Sequence, residues 1–157
     1  MSQAASSAAE AVKLLRVNAC AQIAVSSVFG TLMLLPMQPW FPWKASGKTM
    51  REMMAVHLDW YMLAFMQCAA ASLIQHHLTL SSTDDASQTL ICAKLLMFGG
   101  WMNPSAYFFR GIGIDAFVID IKSSLSQKLA VALGAVSATS ILLAWGGLFR
   151  IVLKEQR

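Results

Sequence analysis

An ionisable side chain inside a long apolar run is costly in lipid, so it is the first place to look for chemistry. His57, Asp59 and Lys94 are such residues, and Tyr61, Asn103 and Tyr107 add polar groups to the same runs. His57 and Tyr61 stand four apart, as do Asn103 and Tyr107, so each pair shares a helix face. His57 lies near the start of the second apolar stretch, and Asn103 and Tyr107 lie near the end of the third. If those two helices run antiparallel, all three fall in one shallow layer about 3–9 Å below the same surface. Such a layer offers an imidazole to ligate a metal, and an amide and a phenol to orient an oxygen. Asp59 stands two positions from His57, on a different face, and is expected to pair with an interfacial Lys or Arg. Lys94 is expected to snorkel toward the Asp84/Asp85 end. An interfacial histidine and an aromatic belt would account for His57, Tyr61 and Tyr107 without chemistry. Asn103 is harder to dismiss, because a lone amide in an apolar helix seeks a partner.

His76 and His77 follow His57 by about 29 Å of helix, out of reach of one shared metal centre. A haem bound by His57 therefore keeps one axial position open, and an open ferric site acts as a Lewis acid. Cys20, Cys68 and Cys92 stand singly inside apolar stretches with no CxxC pair. That pattern argues for small buried hydrophobes and against thiol redox chemistry or a zinc knuckle.

The elements that position these residues follow from composition. Of 157 residues, 57% are hydrophobic and 13% charged, against about 25% charged in an average soluble domain. A soluble fold this small could not cover its surface with so few charges. Four apolar stretches, about 11–37, 53–74, 86–109 and 125–153, each approach the roughly 20 residues that cross a bilayer. Helices are expected, because open strands leave backbone groups unsatisfied in lipid. The reading is an all-α, integral membrane four-helix bundle forming one domain, multi-pass, in contact with the lipid bilayer.

Pro36, Pro39 and Pro42 end the first helix, and Trp40 and Trp43 suit the headgroup boundary. Pro104 and the Gly99-Gly100 pair should bend the third helix. The stretch 110–122 reads as an interfacial loop or a short strand-like piece. The net charge of +4 sits in short clusters near the ends of the apolar segments, as lipid anchors do, which argues against nucleic-acid binding. Five basic residues on one side against six on the other leave the orientation open. The start, MSQAASSAAEAVK, has no basic run before an apolar core, so no signal peptide is expected. Gly134, Ala135, Ser137 and Ala138 give the last helix small residues for close contact between subunits.

Three runs in order carry a resemblance. They are Phe29-Gly30 in SSVFGTLMLLPM, His57 closing KTMREMMAVH, and Gly100-Trp101-x-Asn103-x-x-x-Tyr107 in GWMNPSAY. Together they resemble the styrene oxide isomerase family. The resemblance implies a four-span homotrimer that binds ferric haem b through an axial histidine and turns an apolar epoxide into a carbonyl compound by ring opening and a hydride shift. On this chain it implies His57 as the metal ligand, with Asn103 and Tyr107 as catalytic residues on the substrate side. Tyr61 and Trp101 are expected beside the cofactor. Leu63 stands where the family pattern has asparagine, and Gly99 where it has an acid. The other readings carried forward are a non-catalytic small membrane subunit or assembly protein and a four-span membrane oxygenase of aromatic polyketides. A proton-coupled exporter is weakened, because the first span lacks the carboxylate such coupling uses.

Overall fold

The computed structural model describes residues 3–77, 83–118, 120 and 122–155. It is all-helical, with no strand among the described residues. Helix α1 spans Gln3–Met33, α2 Gly47–His77, α3 Thr83–Met102, α4 Ser105–Gly111 and α5 Leu125–Glu155. A 3₁₀ turn at Leu35–Met37 follows α1, where Pro36 has no N–H to continue the ladder. Two serines start helices in the same way. The Ser46 hydroxyl accepts the Thr49 backbone N–H at 3.0 Å, and Ser124 accepts that of Gln127 at 3.2 Å.

Pro104 separates α3 from α4. The Asn103 amide still bonds back to the Gly99 carbonyl at 2.8 Å, and helix resumes with Phe108 bonding to the Pro104 carbonyl at 3.1 Å. The third apolar stretch is therefore two helices with a break at Pro104, where a single bent helix over 86–109 was expected. The chain leaves α4 through Gly113, whose φ of +94° favours a residue without a Cβ. The stretch after α4 forms no strand among its described residues. Positions 119 and 121 lie outside them, as does most of the second connection, 78–82.

The helices extend beyond the apolar runs. Helix α1 starts at Gln3, not near position 11, and α2 covers 47–77, not 53–74. Lys13, Arg16, Lys48 and Arg51 are therefore helical, since long basic side chains are compatible with helix and can reach past its apolar part. His57 lies ten residues into α2, about 15 Å along it, and not near its start.

Packing inverts the usual soluble pattern. The core is built of small residues, among them Ala11, Ala70, Ala71, Ala93 and Ala144, with Leu15 and Leu148 between them. The buried polar residues include Asn18, Gln22, Ser26, Gln67, Thr89 and Ser137. Large apolar side chains point outward instead, such as Phe65, Leu129, Leu142, Leu143 and Phe149, each more than 60% exposed. Small residues let backbones approach. A Cβ on Gly99 would come within 3.0 Å of the Ser137 carbonyl, and one on Gly147 within 2.5 Å of the Cys92 sulfur. Ser137 is thus spent on the α3–α5 contact inside the chain and is not on offer to a second subunit.

Two helical segments, Ser6–Met37 and Leu125–Lys154, are long and apolar enough to cross a membrane. In their most apolar stretches only 17% and 22% of the residues are buried within the fold. Helix α2 is diluted by Asp59, Gln67 and its charged first turns, and α3 opens on the polar run TDDASQ.

Candidate functional site

His57 is held against α1 by one residue. Its Nδ1 lies 2.8 Å from the Ser26 backbone carbonyl and 3.0 Å from the Ser26 hydroxyl. That hydroxyl in turn donates to the His57 carbonyl at 2.8 Å. A carbonyl can only accept, so Nδ1 carries the proton and Nε2 keeps its lone pair. Nε2 makes no hydrogen bond among the described residues. The imidazole lies directly over Gly30, where an added Cβ would come within 2.5 Å of Cε1 and 3.0 Å of Nε2.

Tyr61 stands one turn further along α2, with its ring perpendicular to the imidazole and 5.0 Å from it. The Ser27 hydroxyl donates to the Ile23 carbonyl at 2.8 Å, so the Tyr61 hydroxyl is the donor in their 2.6 Å contact. Ser27, Gly30, Thr31, Met54, His57 and Tyr61 line an outward-facing groove of about 420 Å³ between α1 and α2.

Asn103 occupies the other face of α2. Its amide donates to the Asp59 carboxylate at 2.9 Å. Asp59 is thus tied to an amide and not to the interfacial Lys or Arg expected of it. The reason is that Asn103, still bonded back to Gly99 at the end of α3, brings its amide within reach of the carboxylate inside the fold. Ser137 donates chiefly to the Gly134 carbonyl at 2.8 Å and only approaches the Asn103 oxygen at 3.5 Å. Because Asp59 is two residues from His57, its bond to Asn103 sets Asn103 at the level of His57, as the depth argument requires. Tyr107 packs on Phe117 at 5.3 Å between ring centres, and the Arg110 guanidinium lies over the same Phe117 ring. Within one chain, then, His57 and Tyr61 come together, Asn103 joins Asp59, and Tyr107 lies on α4.

Trp101 is apart from the groove. Its indole N–H donates to Asn18 at 2.8 Å, and its ring packs on Trp60. Lys94 is exposed on α3, and the Asp85 it was expected to approach receives Lys154 at 2.8 Å. A second, mostly apolar cavity of about 580 Å³ lies between the end of α1, the start of α2 and the end of α4, lined by Phe29, Met33, Trp43, Met50, Met53 and Ile112 among others. Ser26, Gly30 and the Asp59–Asn103 pair are the site features that residue types alone did not single out. The signal for Ser26 was present: Asn18, Gln22 and Ser26 recur every four residues on one face of an apolar helix.

The Asp59–Asn103 bond makes a stability prediction. Asp59→Leu leaves a half-buried amide without its acceptor and should cost about 1–3 kcal/mol. Asp59→Asn keeps an acceptor oxygen and should cost less. Chemical unfolding of the two variants in detergent checks this, and equal losses would contradict it.

Among the described residues no three His, Cys, Asp or Glu side chains gather as metal ligands, so a metal held here would take the lone Nε2 of His57. Compared with known proteins, the chain matches no family model, no curated protein and no solved structure.

Proposed function

We propose that this chain is a multi-pass membrane protein that binds ferric haem b through His57 and isomerises an apolar aryl epoxide to a carbonyl compound. The observation that carries the reading is the Nδ1–H bond to the Ser26 carbonyl at 2.8 Å. A metal-ligating histidine commonly donates its other ring N–H to just such a carbonyl, which fixes the tautomer and raises the basicity of the ligating nitrogen. Gly30 seats the imidazole against α1, and the groove gives a flat group room beside it. The GWMNPSAY resemblance supplies the substrate class. Large apolar side chains outside and amides and serines inside support four spans, with α3 and α4 together making the third.

Ferric haem b, when bound, supplies a Lewis acid for the epoxide oxygen. The reaction opens the ring and moves a hydride to the adjacent carbon, so substrate and product are isomers and no second substrate is consumed. His57 holds the cofactor, and Ser26 holds His57. Tyr61 packs its ring against the imidazole edge and limits its rotation. The groove opens outward and is lined only by α1, α2 and Leu34 just after α1, so a second subunit is needed to cover it. Asn103 and Tyr107, on the other face of α2 and on α4, would then meet the substrate across that boundary, in a homotrimer as the resemblance implies. Their amide and phenol orient the oxygen. The surrounding Met, Phe and Trp side chains keep water from the cationic carbon.

The test is to incubate the purified protein with an aryl epoxide and follow the isomeric aldehyde by gas chromatography. Aldehyde formation that tracks haem content is the expected result, and full haem loading without product would refute the assignment. Tyr107→Phe removes one hydroxyl and should keep haem while slowing turnover about 10²–10³-fold, as loss of one oriented donor does. The engagement of Asn103 by Asp59 favours a second reading, a non-catalytic membrane subunit in which Asn103 is structural. A colourless protein from cells with ample haem supports it.

A further inference from the structure

Four buried or half-buried side chains form a chain of hydrogen bonds through α1, α2 and α3. The Trp101 indole donates to the Asn18 oxygen at 2.8 Å, the Asn18 amide to the Gln67 oxygen at 2.5 Å, and the Gln67 amide to the Gln22 oxygen at 2.5 Å. Amide orientations are usually open to reversal, but not here. An indole can only donate, so Asn18 must present oxygen to Trp101 and nitrogen to Gln67, and the same choice passes to Gln67 and Gln22. Turning any one amide would set donor against donor.

The chain therefore ends on a donor. Gln22 is fully buried, and its Nε2 finds no acceptor among the described residues. A buried donor left bare costs about 1–3 kcal/mol. Gly100 stands beside this end, where an added Cβ would come within 2.4 Å of the Gln67 nitrogen and 3.0 Å of the Gln22 nitrogen. The amides fill the space that a side chain at this position would take, so only glycine admits them. One turn along the same face of α1 is Ser26, also fully buried. Its hydroxyl hydrogen goes to the His57 carbonyl at 2.8 Å, so toward Gln22 it can offer only a lone pair. A donor on Gln22 and an acceptor on Ser26 therefore stand one turn apart on one helix face, where Cβ atoms lie about 5–6 Å apart.

We propose that a water molecule is bound between Gln22 and Ser26, accepting from the amide and donating to the hydroxyl, and that it makes Gln22 a positioning residue for His57. The water gives each group the partner type it lacks. It joins Trp101 through Asn18, Gln67, Gln22 and Ser26 to the His57 backbone carbonyl in one direction of donation, while the imidazole Nδ1–H donates into Ser26 from the other side. By donating to one lone pair of Ser26 the water fixes the hydroxyl with its hydrogen on the His57 carbonyl and its other lone pair toward Nδ1–H, which is how it reaches the imidazole. The inference stands apart from the haem assignment, because it concerns the imidazole whatever Nε2 binds.

The test uses water-edited solid-state NMR on the full-length protein in lipid bilayers, with Gln22→Met as the variant. In the wild type the Gln22 side-chain amide should show magnetisation transfer from water, although it is buried. In Gln22→Met the anchoring of His57 should weaken. A colourless protein reports this through the ¹⁵N shifts of the ring, as a fall of about tenfold in the preference for the Nδ1–H tautomer, the worth of one hydrogen bond. A haem-loaded protein reports it as a shift of the Soret maximum and of the ferric electron paramagnetic resonance. A Gln22 amide with no water contact overturns the proposal, even if the variant fails to fold. A folded Gln22→Met protein with an unchanged His57 signal overturns the positioning role.

Discussion

His57→Ala is expected to abolish haem binding while leaving a protein that still inserts and folds. The Soret band of the purified protein should disappear. The reason is local to one layer. The imidazole is the only histidine lining the groove between α1 and α2, beside the thioethers of Met33 and Met54 and the Tyr61 phenol, which bind ferric iron less readily when neutral. Cys68 follows His57 by eleven residues on α2, about 16 Å away along the axis. His76 is about 29 Å away. Loss of the imidazole leaves the Ser26 hydroxyl its bond to the backbone carbonyl of position 57, and the Ser26 carbonyl keeps its helical partner, so the fold should survive. Expression level and circular dichroism check insertion and folding, and the absorption spectrum checks binding. A His57→Ala protein with an unchanged Soret band would show that His57 is not the iron ligand.

The second large effect comes from a residue that is not a ligand. Gly30→Val should weaken haem binding about 10–100-fold, the range seen when the groups that orient a ligand are lost. The added Cβ would lie within 2.5 Å of the His57 ring, closer than packed atoms stand. The imidazole must swing away, and its bonds to Ser26 break with it. Overpacking should also cost about 1–3 kcal/mol of stability. Gly146→Ala is the control, because that position has nothing within 4 Å of an added Cβ. It should bind haem normally and gain helix stability of about 0.8–1.0 kcal/mol. Haem titration of both variants decides the matter. Equal affinities would show that His57 does not need its seat on Gly30.

The helical class, a distortion at Pro104 (expected as a bend, found as a break) and the separate facing of Asp59 were legible in the sequence, because each follows from local chemistry. Apolar runs of bilayer length argue for helices, proline lacks a donor, and residues two apart cannot share a helix face. Helix ends were less legible. Gln3 and Gly47 begin helices in polar sequence, where apolar periodicity gives no signal, and only the Ser46 cap hints at the second start. The division of the site was not legible either. A common depth for His57, Asn103 and Tyr107 follows from rise per residue, but depth says nothing of azimuth. In the folded chain the groove and Asn103 lie on opposite faces of α2, and the bond to Asp59 shows it. Ser26, Gly30 and the amide chain are non-local. They depend on which face of α1 meets α2, and that is settled by the close approach of small residues along the whole interface.

The absorption spectrum of the wild-type protein tests the central claim most directly. The protein should be purified in mild detergent from cells with ample haem supply. The account predicts a red protein with a Soret band and close to one haem per chain. A colourless protein, correctly inserted and folded under those conditions, would contradict it.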